Sequence, residues 1–264
     1  PALALSPQHA GLERPRTEGG HSCREAGRRR GRPGKEGAEE KQMTTLDGPT
    51  YGPHGGGKPG HLVILLHGYG ADGNDLIGLA PVLAPLMPDA VFHSPNAPYP
   101  CEGNPMGYQW FSINRLDPAS RLAGTRSAAP FVDTFLDEKM AQYGLDEGSA
   151  VLIGFSQGTM MSLHVGLRRA RQLAGIVGFS GALAGGEVLG EEIRSRPPVL
   201  LVHGDSDEML PHQLTEQAAV ELQRNGVEVA VHIAPGVGHG IDQTGLSQAA
   251  RFLLSVLKLP LPQR

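Results

Sequence analysis

The 264-residue sequence has two cysteines, Cys23 and Cys101, one tryptophan, and only 5% aromatic residues. Two cysteines cannot build a disulfide framework, and their separation lacks zinc-ligand spacing, so no metal is expected. Scarce cysteine and the lack of a secretory signal pattern predict a cytoplasmic location. No run approaches the roughly 18 apolar residues of a membrane helix, so stable membrane insertion is not expected. Basic charge is not in excess either. The chain carries 23 Lys and Arg against 27 Asp and Glu, a formal charge of −4. A nucleic-acid binder needs a basic footprint, so no nucleic-acid partner is expected. Glycine (37) and proline (22) are plentiful but not periodic, which suits a fold with many short loops rather than a fibre.

Residues 1–42 differ from the rest. They contain no Val, Ile, Phe, Trp or Tyr, yet hold nine of the basic and six of the acidic residues, leaving −7 for residues 43–264. So little apolar side chain cannot offset the entropy of ordering, and the segment is expected to be a disordered basic extension. The run Arg28-Arg29-Arg30 with Arg32 reads as a solvated charge cluster, because acidic residues are interspersed. Met43 is the expected natural start, with a single domain over 43–264.

From there strand-length apolar runs alternate with helical spacing. The runs are His61–His67, Ala90–His93, Ala150–Phe155, Gly175–Phe179, Pro198–His203 and Val227–Ile233. They are mostly continuous, as strands buried on both faces are. Helices are expected over Asp75–Met87, Arg126–Tyr143, Gln157–Gln172, His212–Asn225 and Gln243–Leu257. Asn74 or Asp75 would cap the first, and Gly144 and Gly226 would stop two of them. This alternation predicts an α/β fold, a mainly parallel sheet with helices on both faces. The one long interruption, Ser94–Gly124, reads as a functional loop or lid.

The strongest chemical signal is a strand running into G-x-S-x-G at Gly154–Gly158. Flanking glycines permit a sharp turn that holds Ser156 at a helix N-terminus, where the dipole favours developing negative charge. The motif is common by chance, but here a strand precedes it and a helical pattern follows. A near-copy, Gly178-Phe-Ser-Gly-Ala182, lacks the final glycine and the helix, so Ser180 reads as a structural serine.

A serine hydroxyl needs a base, and the base an orienting acid. The order expected for this turn is Ser, Asp, His. Gly-Asp-Ser-Asp-Glu-Met-Leu-Pro211 follows one later strand, and Ala-Pro-Gly-Val-Gly-His-Gly240 follows the next. Both loops lie at strand C-terminal ends, where sites of open α/β sheets gather. His239 is the candidate base. Spacing does not choose between Asp205 and Asp207, and Asp205 could instead brace its turn by accepting backbone N–H groups. The oxyanion amides are expected at Gln157, which follows the serine, and at Tyr69 in His67-Gly-Tyr-Gly-Ala-Asp-Gly73. That second segment also matches the dinucleotide fingerprint G-x-G-x-x-G. The fingerprint needs an acidic residue ending the next strand, and Ala90–His93 ends in Ser94, Pro95 and Asn96 instead.

Together, His67-Gly68-Tyr69-Gly70, Gly154-Phe-Ser-Gln-Gly158, His203-Gly-Asp-Ser-Asp207 and Gly238-His239-Gly240 resemble the phospholipase/carboxylesterase family, relatives of acyl-protein thioesterases with the α/β-hydrolase fold. Pro95-Asn-Ala-Pro98 and Gln109-Trp-Phe111 are similar to further family segments, and the likeness spans about Leu46 to Leu257. It implies a triad of Ser156, Asp207 and His239, choosing the second aspartate. It also implies oxyanion amides at Tyr69 and Gln157, and an acyl pocket near Trp110, Met209 and Leu210. Glu208 stands where many relatives have proline, and Tyr69 where eukaryotic relatives often have leucine.

The expected function is a serine carboxylesterase for short to medium acyl esters, with lysophospholipid or thioester hydrolysis within reach. Apolar side chains at Trp110, Phe111, Met209 and Leu210 favour an acyl chain, at about 0.8 kcal/mol per buried CH₂. The alternatives are a serine peptidase or amidase on the same scaffold, and a catalytically silent binding protein. No organic cofactor is expected. The partner is a small acyl ester, and a homodimer is compatible with the sequence.

Overall fold

The computed structural model describes residues 45–115 and 117–260. The expectation of disorder for residues 1–42 lies outside them. In chain order the strands are β1 (Thr50–Tyr51), β2 (His61–Leu66), β3 (Ala90–His93), β4 (Tyr99–Pro100), β5 (Tyr108–Gln109), β6 (Ala150–Phe155), β7 (Gly175–Phe179), β8 (Val199–Gly204) and β9 (Val229–Ala234). A seven-stranded sheet organises the chain, with the order β1-β3-β2-β6-β7-β8-β9 across it. All neighbours are parallel except β1, which runs antiparallel to β3. The short strands β4 and β5 pair antiparallel outside the main sheet.

The continuous apolar runs have the physical basis expected of them: both faces of the sheet are covered. On one face lie α3 (Pro118–Tyr143) and α4 (Gln157–Arg168), and Leu62, Ile64 and Leu66 of β2 pack with them. The alternate residues Val63 and Leu65 pack on the other face with α1 (Gly73–Ile77), α2 (Ala80–Leu83) and α7 (Gln243–Val256). Strand β8 divides the same way. Val199 and Leu201 meet α6 (Gln213–Arg224), while Leu200 and Val202 meet α7. The remaining helix, α5 (Leu189–Glu192), is a single short turn before β8.

Three expectations are corrected. The helix expected over Asp75–Met87 is α1, α2 and a 3-10 turn at Ala84–Leu86, with Pro81 and Pro85 each opening a new segment. Proline suits a first helical turn and not an interior. The cap of α1 is Asp72, which accepts from the Asn74 amide at 2.8 Å, rather than Asn74 or Asp75. Helix α3 begins at Pro118, eight residues before the expected Arg126, so Ser94–Gly124 contains the β4–β5 pair and the first turns of a helix. Asp117 caps it by accepting from the Ser120 amide at 3.0 Å, and Pro118 follows at N1, a start signal that reads superficially as a loop. Gly144 and Gly226 do lie just past helix ends, with φ of 66° and 76°.

The chain moves outward from β2 to β3 and then returns to β6 on the opposite side of β2. This reversal opens a crevice at the carboxyl ends of β2 and β6, the place where open α/β sheets hold ligands.

Candidate active site

Ser156 stands at that crevice, between the end of β6 and the start of α4. Its backbone has φ 53° and ψ −112°, a conformation L-residues rarely adopt and one that concentrates at functional turns. The turn is held by its neighbours. The Ser156 amide donates to the Phe179 carbonyl at 2.8 Å, and the Thr159 amide donates to the Ser156 carbonyl at 3.0 Å. Gly158 lets α4 sit directly against β2, since a Cβ there would lie 1.8 Å from the Leu66 carbonyl oxygen. Ser180 also has a positive φ, 46°. It is fully buried, and its amide donates to the Val202 carbonyl at 2.8 Å.

The loops after β8 and β9 meet beside Ser156. His239 Nδ1 lies 2.7 Å from Asp207 Oδ2. The other Asp207 oxygen accepts from the Met209 and Leu210 amides at 2.8 and 2.9 Å. Burial pushes the Asp207 carboxyl up, but these donors and His239 outweigh it and hold it below the usual range. A carboxylate facing Nδ1 fixes the hydrogen there and leaves Nε2 as an acceptor. Asp205 does something else. Its Oδ1 accepts from the Gly236 amide at 2.7 Å and the Ser206 hydroxyl at 2.9 Å, ties the two loops together, and is held below its ordinary pKa by those bonds.

Sequence spacing alone gives His203 no role. It is fully buried at the end of β8, with Nε2 3.0 Å from Asp207 Oδ2 and 2.9 Å from the Leu210 carbonyl. Facing two acceptors, that nitrogen must donate. Nδ1 lies 2.7 Å from Thr215 Oγ1. The pattern His-Gly-Asp-x-Asp held the clue, because a histidine four residues before the acid can reach it once the loop folds back.

Ser156, His239, Tyr69, Gln157, Met209 and Leu210 line one cavity of about 230 Å³. Among the described residues no hydrogen bond joins the Ser156 hydroxyl to His239; such contacts often tighten only with substrate present. The His239 ring leans on Phe155, with centroids 4.9 Å apart. Neither the Tyr69 nor the Gln157 amide has an acceptor among the described residues. By contrast, the Gly70 amide donates to the Tyr108 carbonyl at 2.9 Å and the Gly73 amide to Asn96 Oδ1 at 2.8 Å. Two glycine amides that a pyrophosphate would require are therefore occupied.

Trp110 does not line the cavity, contrary to its placement at the acyl pocket. It is fully buried, and its Nε1 donates to the His67 carbonyl at 2.9 Å. The next residue, Phe111, lines the cavity instead. The reason is a bracket that orients both. The Trp110 amide donates to Gln157 Oε1 at 2.9 Å, and Gln157 Nε2 donates to the Phe111 carbonyl at 2.8 Å. His67 completes the support. Its Nδ1 donates to the Gly68 carbonyl at 2.7 Å, and its Nε2 accepts from the Ala97 amide at 3.0 Å. That pair of roles requires the neutral ring, and burial lowers its pKa accordingly. Asp75 and Arg121, also missed from sequence, supply the cavity's charged edges.

The phospholipase/carboxylesterase family profile matches residues 54–257. The chain belongs to this family. Among its relatives is the esterase YpfH of Escherichia coli (strain K12), 30% identical over 76% of this chain and 84% of that protein. Acyl-protein thioesterase 1 of Gibberella zeae is 29% identical, covering 72% of this chain and 88% of the relative. The crystal structure of esterase PE8 superposes with a TM-score of 0.78 at 45% identity, over 81% of this chain and all of that one. This phospholipase/carboxylesterase member is thus a hydrolase with the α/β-hydrolase fold. Among the described residues no helix is long and apolar enough to cross a membrane.

Proposed function

We propose that the protein is a serine carboxylesterase that cleaves short-to-medium acyl esters through an acyl-Ser156 intermediate. The observation that carries this reading is the hydrogen-bonded Asp207–His239 pair opening, with Ser156 and two unengaged amides, on one small apolar cavity. His239 Nε2 accepts the Ser156 proton as the hydroxyl oxygen attacks the ester carbonyl. The Tyr69 and Gln157 amides receive the oxyanion. His239 then protonates the departing alcohol, leaving the acyl group on Ser156. Water, deprotonated by the same imidazole, attacks the acyl-serine; the proton returns to Ser156 as the acid leaves. Asp207 holds the tautomer and stabilises the imidazolium. The named activities of the relatives support ester and thioester substrates, and the mostly apolar cavity wall supports an acyl chain.

A fluorophosphonate probe is expected to label wild type at Ser156 and to leave Ser156→Ala unlabelled. 4-Nitrophenyl esters of graded chain length, run beside peptide amides, are expected to be hydrolysed far faster than the amides. Undiminished ester hydrolysis by a folded Ser156→Ala would sink the reading.

A further inference from the structure

Phe111 lines two spaces at once. One is the cavity of about 230 Å³ that holds Ser156 and His239. The other is a more open groove of about 680 Å³ walled by Tyr99, Gln109, Ser120 and Gly124. Among the described residues, Phe111 is the one common to both linings. Its side chain is not a loose flap, since Phe111 is only 5% exposed and its carbonyl is held by Gln157 Nε2. On the groove side the first turns of α3 press against it. A Cβ at Gly124 would lie 2.5 Å from Phe111 Cγ, so only glycine admits the ring in its present position.

We infer that Phe111 is the partition that sets acyl-chain length, closing the catalytic cavity against a larger groove that longer chains would otherwise enter. This inference rests on the esterase reading. A cavity of that size bounded by a fixed ring accepts short acyl chains and stops longer ones. Removing the ring joins the two spaces. Pushing the ring from the Gly124 side drives it toward Ser156 and shortens the cavity. The two changes therefore act in opposite directions on the same selectivity, which a general loss of stability would not do.

The test uses the full chain and 4-nitrophenyl esters from acetyl to dodecanoyl, with kcat/KM for the acetyl ester as internal reference. Each methylene that gains an apolar wall is worth about fourfold. Phe111→Ala is expected to raise the octanoyl-to-acetyl ratio at least about tenfold, and Gly124→Ala to lower it. Phe111→Leu serves as the milder truncation should the alanine variant not fold. Equilibrium binding of the free carboxylic acids to the same variants gives a readout independent of turnover. Absence of ester turnover in wild type, with acid binding still shifted by the variants, would overturn the esterase reading while upholding the partition. Folded variants whose chain-length profiles match wild type in both assays would overturn the partition.

Discussion

The imidazole of His203 lies against the same Asp207 oxygen that engages His239. The two histidines lie 3.0 and 2.7 Å from Oδ2, one from beneath the loop and one from the cavity side. With the Met209 and Leu210 amides on Oδ1 and His239 on Oδ2, the carboxylate accepts three hydrogen bonds. A charge buried with that many partners is held in one orientation, which a residue that orients a base requires.

The two aspartates should therefore separate cleanly. Asp207→Asn is expected to lower kcat by on the order of 10⁴, because the amide stabilises neither the tautomer nor the imidazolium. Asp205→Asn removes a brace between loops and should act mainly on stability. Steady-state kinetics and denaturant unfolding on both variants check this. The assignment of the acid is wrong if Asp205→Asn is the more damaging to kcat.

Replacing His203 by leucine leaves the Leu210 carbonyl without its imidazole donor and removes the nitrogen 3.0 Å from Asp207 Oδ2. A hydrogen bond to a neutral carbonyl contributes about 0.5–1.5 kcal/mol, and a loss of at least that order is expected in urea unfolding. An unchanged unfolding midpoint would show that the Asp207 carboxylate does not depend on His203.

Gly158→Ala tests the packing beneath the serine. Its Cβ would lie 1.8 Å from the Leu66 carbonyl oxygen, a backbone atom that cannot swing aside. Overpacking costs about 1–3 kcal/mol and sometimes more; a loss at or beyond that upper end is expected, read as a lowered Tm or insoluble expression. A variant as stable as wild type would mean that α4 does not sit this close to β2.

Acid should destabilise the fold well above the pH at which carboxylates titrate. Burial lowers His93 and His164 to about 4 from an ordinary 6.5, helped by Lys139 in the first case and Arg168 in the second. Below pH 6.5 the unfolded chain takes up protons that the folded chain refuses until about pH 4. The stability they contribute is thus complete above pH 6.5 and is lost as pH falls through that window, at up to about 1.4 kcal/mol per pH unit for each histidine. Among the described residues His164 Nδ1 is buried with no hydrogen-bond partner, so His164→Leu breaks no bond seen at that atom. Denaturation midpoints measured from about pH 7 to pH 4 should fall less steeply in this variant; an identical slope would refute the assignment.

Much of the scaffold was legible because local signals and tertiary burial agreed. Strands buried on both faces must be apolar at every position, so β2, β6, β7 and β8 stood out from the sequence within a residue at either end. The turn at Ser156 was readable because a sharp strand-to-helix junction demands small neighbours. His239 was readable because its loop follows a strand whose carboxyl end faces the crevice; the same reasoning left Asp205 and Asp207 level, and only the family likeness pointed to Asp207. Local sequence also decided that Asp205 was a candidate brace, since an aspartate directly after a strand commonly accepts backbone amides.

What the folded chain alone decided involves partners far apart in sequence. The bond that orients Trp110 into the core joins residues 47 apart, and the one from its indole joins residues 43 apart; no pattern within Gln109-Trp-Phe111 says which ring faces the cavity. The same holds for Phe111 against Gly124, where a missing Cβ matters only because α3 begins early enough to press on the ring. Sequence determines which residue types can turn, alternate or ionise, because those are properties of short stretches of backbone. Which side chain ends up at a wall depends on hydrogen bonds and steric contacts between distant segments, and these exist only after the chain has closed on itself.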